Sequence, residues 1–288
     1  ANTTGDYNTF IGHKAAQSNT TGETNTVVGT SAMYYNTTGN NNTAVGYNAA
    51  LNNNGVDNVV IGRGAMQTAT GVNNSVAIGY EAMYSHSGTG DEHNVYIGYQ
   101  AGKDGTSAYA NVIVGGLAGE NVTTCNNSTF VGKSAGSTVT TGSHNVCIGR
   151  DSQPSSATSS NQFTLGDNNI DNLRCNDTSI SSLSDRRDKT DIVDLPVGLD
   201  FVNTLQPRKF KWQTRDGNIK DGSIRAGFIA QELQEAQKDC NYMQLVLESN
   251  PEKLEANEGH LIPVLVQAIK DLSAENTALK ARLDAAGL

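Results

Sequence analysis

Asn8 to Ala15 reads NTFIGHKA, and the same octet returns as NTVVGTSA from Asn25, NTAVGYNA from Asn42 and NVYIGYQA from Asn94. The glycine of an Ile/Val/Leu-Gly dipeptide falls at 12, 29, 46, 62, 79, 98, 115, 132, 149 and 166, in steps of 17, 17, 16, 17, 19, 17, 17, 17 and 17 residues. Asn precedes that glycine by four residues in seven repeats and by five in three, as Asn74, Asn127 and Asn161, and Ala follows it by three in the first eight. A repeat this short cannot bury its own apolar side, so each must lie on its neighbours as one turn of a stacked coil.

Within a turn, Val59 to Ile61 or Val76 to Ile78 form β-favouring runs bounded by Asn and Gly, which predicts short strands joined by tight turns. Gly22, Gly39, Gly55 and Gly142 lie seven residues before the repeat glycine and are expected to be a second corner with positive φ. Stacked Asn side chains are expected to form hydrogen-bond ladders between turns. One or two apolar residues per turn make a thin core, so a single coil should be marginal and several chains should pack together, most simply as a homotrimer. The expectation over residues 1–183 is therefore a trimeric β-repeat fibre, a β-solenoid or β-roll with rungs of ~17 residues. NSVAIG from Asn74 and its relatives resemble the head repeats of trimeric autotransporter adhesins, and similar repeats occur in bacteriophage fibres.

Charge divides the chain: residues 1–183 hold 18 of the 49 Asp, Glu, Lys and Arg residues, and the shorter stretch 184–288 holds the other 31. The formal net charge of −9 gives no basic footprint for nucleic acid or an anionic membrane surface. No run approaches the ~18 apolar residues of a membrane span, so no membrane insertion is expected. Ala1 to Phe10 hold no basic, apolar leader and already lie inside a repeat, so the chain reads as a piece of something longer. Cys125, Cys147, Cys175 and Cys240 show no paired spacing and are expected to be small packing residues. Nothing reads as a cofactor or metal site.

From Ser184 the composition becomes that of a small α+β domain. Val197, Phe201 and Leu205 share one helical face, although Gly198 weakens that helix. Arg208 to Gln213 alternates as a strand with Phe210 and Trp212, a turn is expected at residues 216–218, and Gly227 to Gln237 leads into an amphipathic helix carrying Ile229 and Leu233. Over 261–286, Ile262, Ile269, Asn276 and Leu283 hold one heptad position and Leu265, Leu272 and Leu279 the other, which predicts a coiled coil whose single Asn fixes register and partner number.

Between the two parts stands SDRRDK, Ser184 to Lys189. A serine hydroxyl becomes a nucleophile when a base takes its proton, and lysine serves as that base in Ser-Lys variants of the triad. Five residues of spacing are weak evidence alone. Together with RAGFIAQELQEA from Arg225 and LIPVLVQAIKDLSAENTALKARL from Leu261, however, the segment resembles the C-terminal intramolecular chaperone of phage endosialidases and tail fibres, the peptidase S74 domain. That resemblance implies a trimeric domain over 184–288 that aligns three chains, promotes folding of the preceding β-structure and then cuts itself off at Leu183-Ser184. Ser184 would be the nucleophile and the first residue after the cut, Lys189 its base, and Asp185 a residue positioning the loop. Family members often carry an aromatic residue or His where this chain has Ala226, and His260 receives no catalytic part.

The expected protein is thus a phage tail-fibre segment in the virion, assembled in the bacterial cytoplasm and attaching to a host receptor, either a polysaccharide or an outer-membrane component. Its only reaction would be one self-cleavage. The alternative is a bacterial trimeric surface adhesin with a non-cleaving clamp. A third reading, a polysaccharide-degrading enzyme, needs paired carboxylates. Glu81, Asp91, Glu92 and Glu120 are sporadic and are expected to be solvated surface.

Overall fold

The computed structural model describes residues 2–88, 92–170, 172–176, 182–215 and 220–287. Two units form, Ala1–Ile170 and Asp171–Leu288. In the first, every repeat contributes one three-residue strand: β1 (Thr9–Ile11), β2 (Thr26–Val28), β3 (Thr43–Val45), β4 (Val59–Ile61), β5 (Val76–Ile78), β6 (Val95–Ile97), β7 (Val112–Val114), β8 (Thr129–Val131), β9 (Val146–Ile148) and β10 (Phe163–Leu165). They pair in chain order, parallel and in register, Phe10 with Val27, Ala77 with Tyr96, Phe130 with Cys147. The result is a β-solenoid whose rungs are the ~17-residue repeats. After β10 the described residues up to Ser184 add no strand, so the unit closes at Ile170 although the sequence counts residues to 183 with the repeats.

The middle residue of each strand points inward, and the inward column trades volume with a second column four residues after the repeat glycine. Where the strand residue is small or middle-sized, Val27, Val60 or Ala77, the later residue in the same rung is Met33, Met66 or Met83, and all six are buried; the rung of Ala44 and Ala50 is the exception. Where it is large, Tyr96 or Phe130, the later residue is Gly102 or Gly136, and a methyl group placed on Gly136 meets the Phe130 ring at 2.6 Å. The interior is thereby filled along its whole length from Ala16 to Cys147, and is less thin than one or two apolar residues per turn implied.

The Asn ladders form, with a register that corrects the sequence reading. The column lies four residues before the glycine in all ten rungs, running Asn8, Asn25, Asn42, Asn58, Ser75, Asn94, Asn111, Ser128, Asn145 and Gln162. The backbone N–H of each member donates to the side-chain oxygen of the one before, for example Asn25 to Asn8 at 2.8 Å and Asn94 to the Ser75 hydroxyl at 3.1 Å. Most of the Asn amides also donate across the rung to a corner carbonyl, Asn58 to Val72 O at 2.7 Å. The displaced Asn74, Asn127 and Asn161 stand one position earlier, where φ is +50°, +53° and +61° and every other rung also turns left-handed. Asn tolerates that conformation at little cost.

Two further expectations are corrected. Gly22, Gly39, Gly55 and Gly142 do not have positive φ; the repeat-dipeptide glycines do, from Gly12 at +137° to Gly166 at +72°, as do Gly64, Gly71, Gly102, Gly119 and Gly136. At these four positions successive rungs approach too closely for a side chain, a methyl group on Gly22 meeting the Gly39 carbonyl oxygen at 2.6 Å, whereas other rungs carry Val72, Ala108, Cys125 and Ser159 at the same corner. Glu92 is buried, and its carboxylate accepts the Asn73 backbone N–H at 2.7 Å in a column where Asn40, Asn73 and Asn126 do the same for other rungs. Asp91 lies outside the described residues. Three cysteines are buried as expected, whereas Cys175 is exposed and packs no core.

The second unit holds α1 (Leu199–Thr204), the antiparallel pair β11 (Arg208–Lys211) and β12 (Ile224–Gly227), α2 (Ala230–Ala236), the short pair β13 (Val246–Leu247) and β14 (Glu255–Ala256), and α3 (Leu261–Ala286). The turn expected at 216–218 lies outside the described residues. Phe201, Leu233, Met243, Leu245, Leu261 and Val264 form its core. Gly198 caps α1 because a side chain there would strike the Asp271 carboxylate of α3, which accepts the Leu199 N–H at 2.9 Å. The glycine that weakens the helix by propensity makes room for its cap.

Candidate functional site

Asp185 is extended and leads into one 3-10 turn, Arg186–Asp188, after which Lys189 is extended again. The Asp185 carboxylate builds this turn. It accepts the Arg187 N–H at 2.9 Å and takes the Arg187 guanidinium in a two-pronged ion pair, with Nη2 at 2.6 Å. The guanidinium and the N–H hold its carboxyl below the usual carboxylate range. A single tight turn reverses the chain enough for two side chains five residues apart to meet. The Lys189 ammonium donates to the Ser184 hydroxyl and stands 3.4 Å from the Ser184 carbonyl oxygen.

Of the residues singled out from sequence, Ser184 and Lys189 are therefore together, while Asp185 turns to Arg187 and touches neither. Leu183, Ser184 and Lys189 are all exposed. The arrangement sets a hydroxyl, an amine and the peptide carbonyl of Leu183 on one short loop, groups of the kind an intramolecular acyl transfer uses. Ala226 pairs with Lys209 in the β11–β12 ribbon. His260 faces the Met243 and Gln244 carbonyl oxygens through Nδ1 at 3.0 and 3.1 Å, a structural link at the start of α3.

On α3 two faces separate. Leu261, Val264 and Ala268 are buried against the domain. The heptad residues Ile262, Leu265, Ile269, Leu272, Leu279 and Leu283 are exposed in the single chain, and the Asn276 amide donates to the Leu272 carbonyl oxygen at 2.9 Å. Sequence reading found the second face and missed the first, whose spacing overlaps it in the same run.

Residues 184–242 match the model of the peptidase S74 family, described as the chaperone of endosialidase. That match supports a chaperone domain at this end of the chain. It begins at Ser184, the residue in contact with Lys189, and takes in α1, β11, β12 and α2. No curated protein and no solved structure matches the chain.

Proposed function

We propose that the chain is a phage tail-fibre segment for host attachment whose C-terminal domain brings three copies together, assists folding of the solenoid, and then removes itself by cleavage at Leu183-Ser184. The observation that carries this reading is the Lys189 ammonium on the Ser184 hydroxyl at the first residue of the chaperone match. Two further features support association of copies: the outward Ile11, Ile61, Ile148 and Leu165 side chains on successive parts of one strand face, and the exposed heptad face of α3.

In the reaction, Lys189 first gives up its own proton to solvent, and as the neutral amine it accepts the Ser184 hydroxyl proton while Oγ attacks the Leu183 carbonyl carbon. The C–N bond to Ser184 breaks as Lys189 returns the proton to the departing amine, leaving an ester between Leu183 and Ser184 Oγ. Water then hydrolyses the ester to the Leu183 carboxylate and the free hydroxyl. Translational entropy is already spent, because nucleophile and carbonyl belong to adjacent residues. Asp185 acts through the turn it caps and touches no reacting atom. Since the loop is exposed in one chain, water exclusion and donors for the oxyanion come from neighbouring copies, which ties cleavage to assembly.

Intact-mass analysis under denaturing conditions tests this. Wild type should convert into fragments 1–183 and 184–288, and both Ser184→Ala and Lys189→Ala should remain whole. Persistent cleavage of Ser184→Ala would sink the nucleophile assignment. A wild type that stays whole while sedimenting as a trimer would make the domain a permanent clamp, as in a surface adhesin.

A further inference from the structure

The residue after each repeat glycine forms an in-register column on one corner of the solenoid, held by the following N–H donating to the column carbonyl of the rung before, as Gly64 to Tyr47, Glu81 to Arg63, Gln100 to Tyr80 and Leu117 to Tyr99. From the third rung it reads Tyr47, Arg63, Tyr80, Tyr99, Gly116, Lys133 and Arg150. The solenoid is poor in charge and net acidic, yet three of its five Lys and Arg residues stand in this one column, beside three of its tyrosines.

The side chains stack. The Arg63 guanidinium sits 5.4 Å from the Tyr80 ring centroid, and Tyr80 lies on Tyr99 with centroids 5.3 Å apart and planes 11° from parallel. The stack then stops, because the next member is Gly116. A methyl group placed there would meet only the Tyr99 Cβ and carbonyl oxygen, at 3.9 and 4.0 Å, so the space over the far face of Tyr99 is open. Tyr99 is 54% exposed. Lys133, exposed, bounds this gap one rung further on, about two strand spacings or ~9.5 Å from Tyr99. The gap admits one ring at stacking distance.

We infer that the gap between Tyr99 and Lys133 binds an acidic pyranose of an anionic polysaccharide, with Arg63, Tyr80 and Tyr47 extending the contact along the chain of sugars. The polarised C–H face of a pyranose lies well against the negative face of a tyrosine ring, and a sugar carboxylate beyond that ring meets the Lys133 ammonium. Glu81 and Gln100 flank the aromatic stack, joined by a 2.8 Å hydrogen bond, and present acceptor and amide groups of the kind that read sugar hydroxyls. This inference rests on the attachment role proposed above and supplies its ligand class and surface.

The test is direct binding of the full chain to hyaluronate and alginate, with dextran as neutral polymer and an oligothymidine strand as polyphosphate. Expected is salt-sensitive binding to the acidic polysaccharides, weakened at least about tenfold by Tyr99→Ala, Lys133→Ala and the gap-filling Gly116→Val. Thermal melting and sedimentation of each variant should match wild type. The inference falls if wild type binds neither acidic polysaccharide, if it binds dextran or oligothymidine equally, or if Tyr99→Ala and Gly116→Val bind normally. A change of oligomeric state in these variants would assign the column to contact between copies and overturn it too. Cleavage at Leu183-Ser184 is followed on the same samples, so loss of glycan binding with cleavage intact refutes this inference alone.

Discussion

His86 stands in the column held by Asn19, Asn36 and Asn53 in earlier rungs and by Val122 and Val139 in later ones, all of them buried. Neither ring nitrogen has a hydrogen-bond partner among the described residues. Burial lowers its pKa below the ordinary 6.5, against the opposing pull of Glu92. The folded state thus holds a neutral imidazole. Its contribution is complete above the unfolded-state value and is lost as pH falls through that value towards the folded one, because the unfolded chain takes the proton first. Melting of the solenoid should therefore drop between pH 7.5 and 5.5, and His86→Val should flatten the slope; an unchanged slope would remove His86 as its cause. Thiol reactivity is a second residue-scale expectation. Burial pushes Cys147 up to about 11 and raises Cys125 and Cys240, so a thiol reagent at neutral pH should label exposed Cys175 first and the other three only on unfolding.

At the scale of elements, the rung is a volume balance that no single residue reveals. Gly136→Ala sets a methyl group against Phe130 and strains a backbone at φ +61°, so it should cost about 1–3 kcal/mol, with part recovered in the double variant with Phe130→Val. Additive losses in a denaturation cycle would show that the two columns do not share space. The period and strands were readable because glycine, Asn and the β-branched pair repeat. The corner glycines were misread because propensity knows φ but not the distance to the next rung. Along α3, Asn276→Leu should raise the stability of helix association and loosen partner number, measurable by sedimentation.

For the whole molecule, cleavage and assembly should fail together. Leu265→Asp with Leu272→Asp charges the exposed heptad face and leaves Leu261 and Val264, the buried face, intact. That variant should remain monomeric and uncut on a gel of the denatured protein, while a monomer that still cleaves would separate the reaction from association. Once cut, the solenoid should resist denaturation for far longer than an uncleaved Lys189→Ala protein takes to unfold and refold, since persistence is then set by an unfolding barrier.

The sequence by itself determined the rung length, the strands, the change of composition near Ser184 and the heptad spacing of α3, because each is written in local spacing. Only the tertiary structure decided the rest. It placed Ser75, Ser128 and Gln162 in the Asn ladder, put Asp271 on the cap of α1, buried Glu92, and stacked Arg63, Tyr80 and Tyr99 beside an open place at Gly116. These depend on which residues of different rungs or helices face one another, a distance that arises when the chain winds and that no spacing along it records.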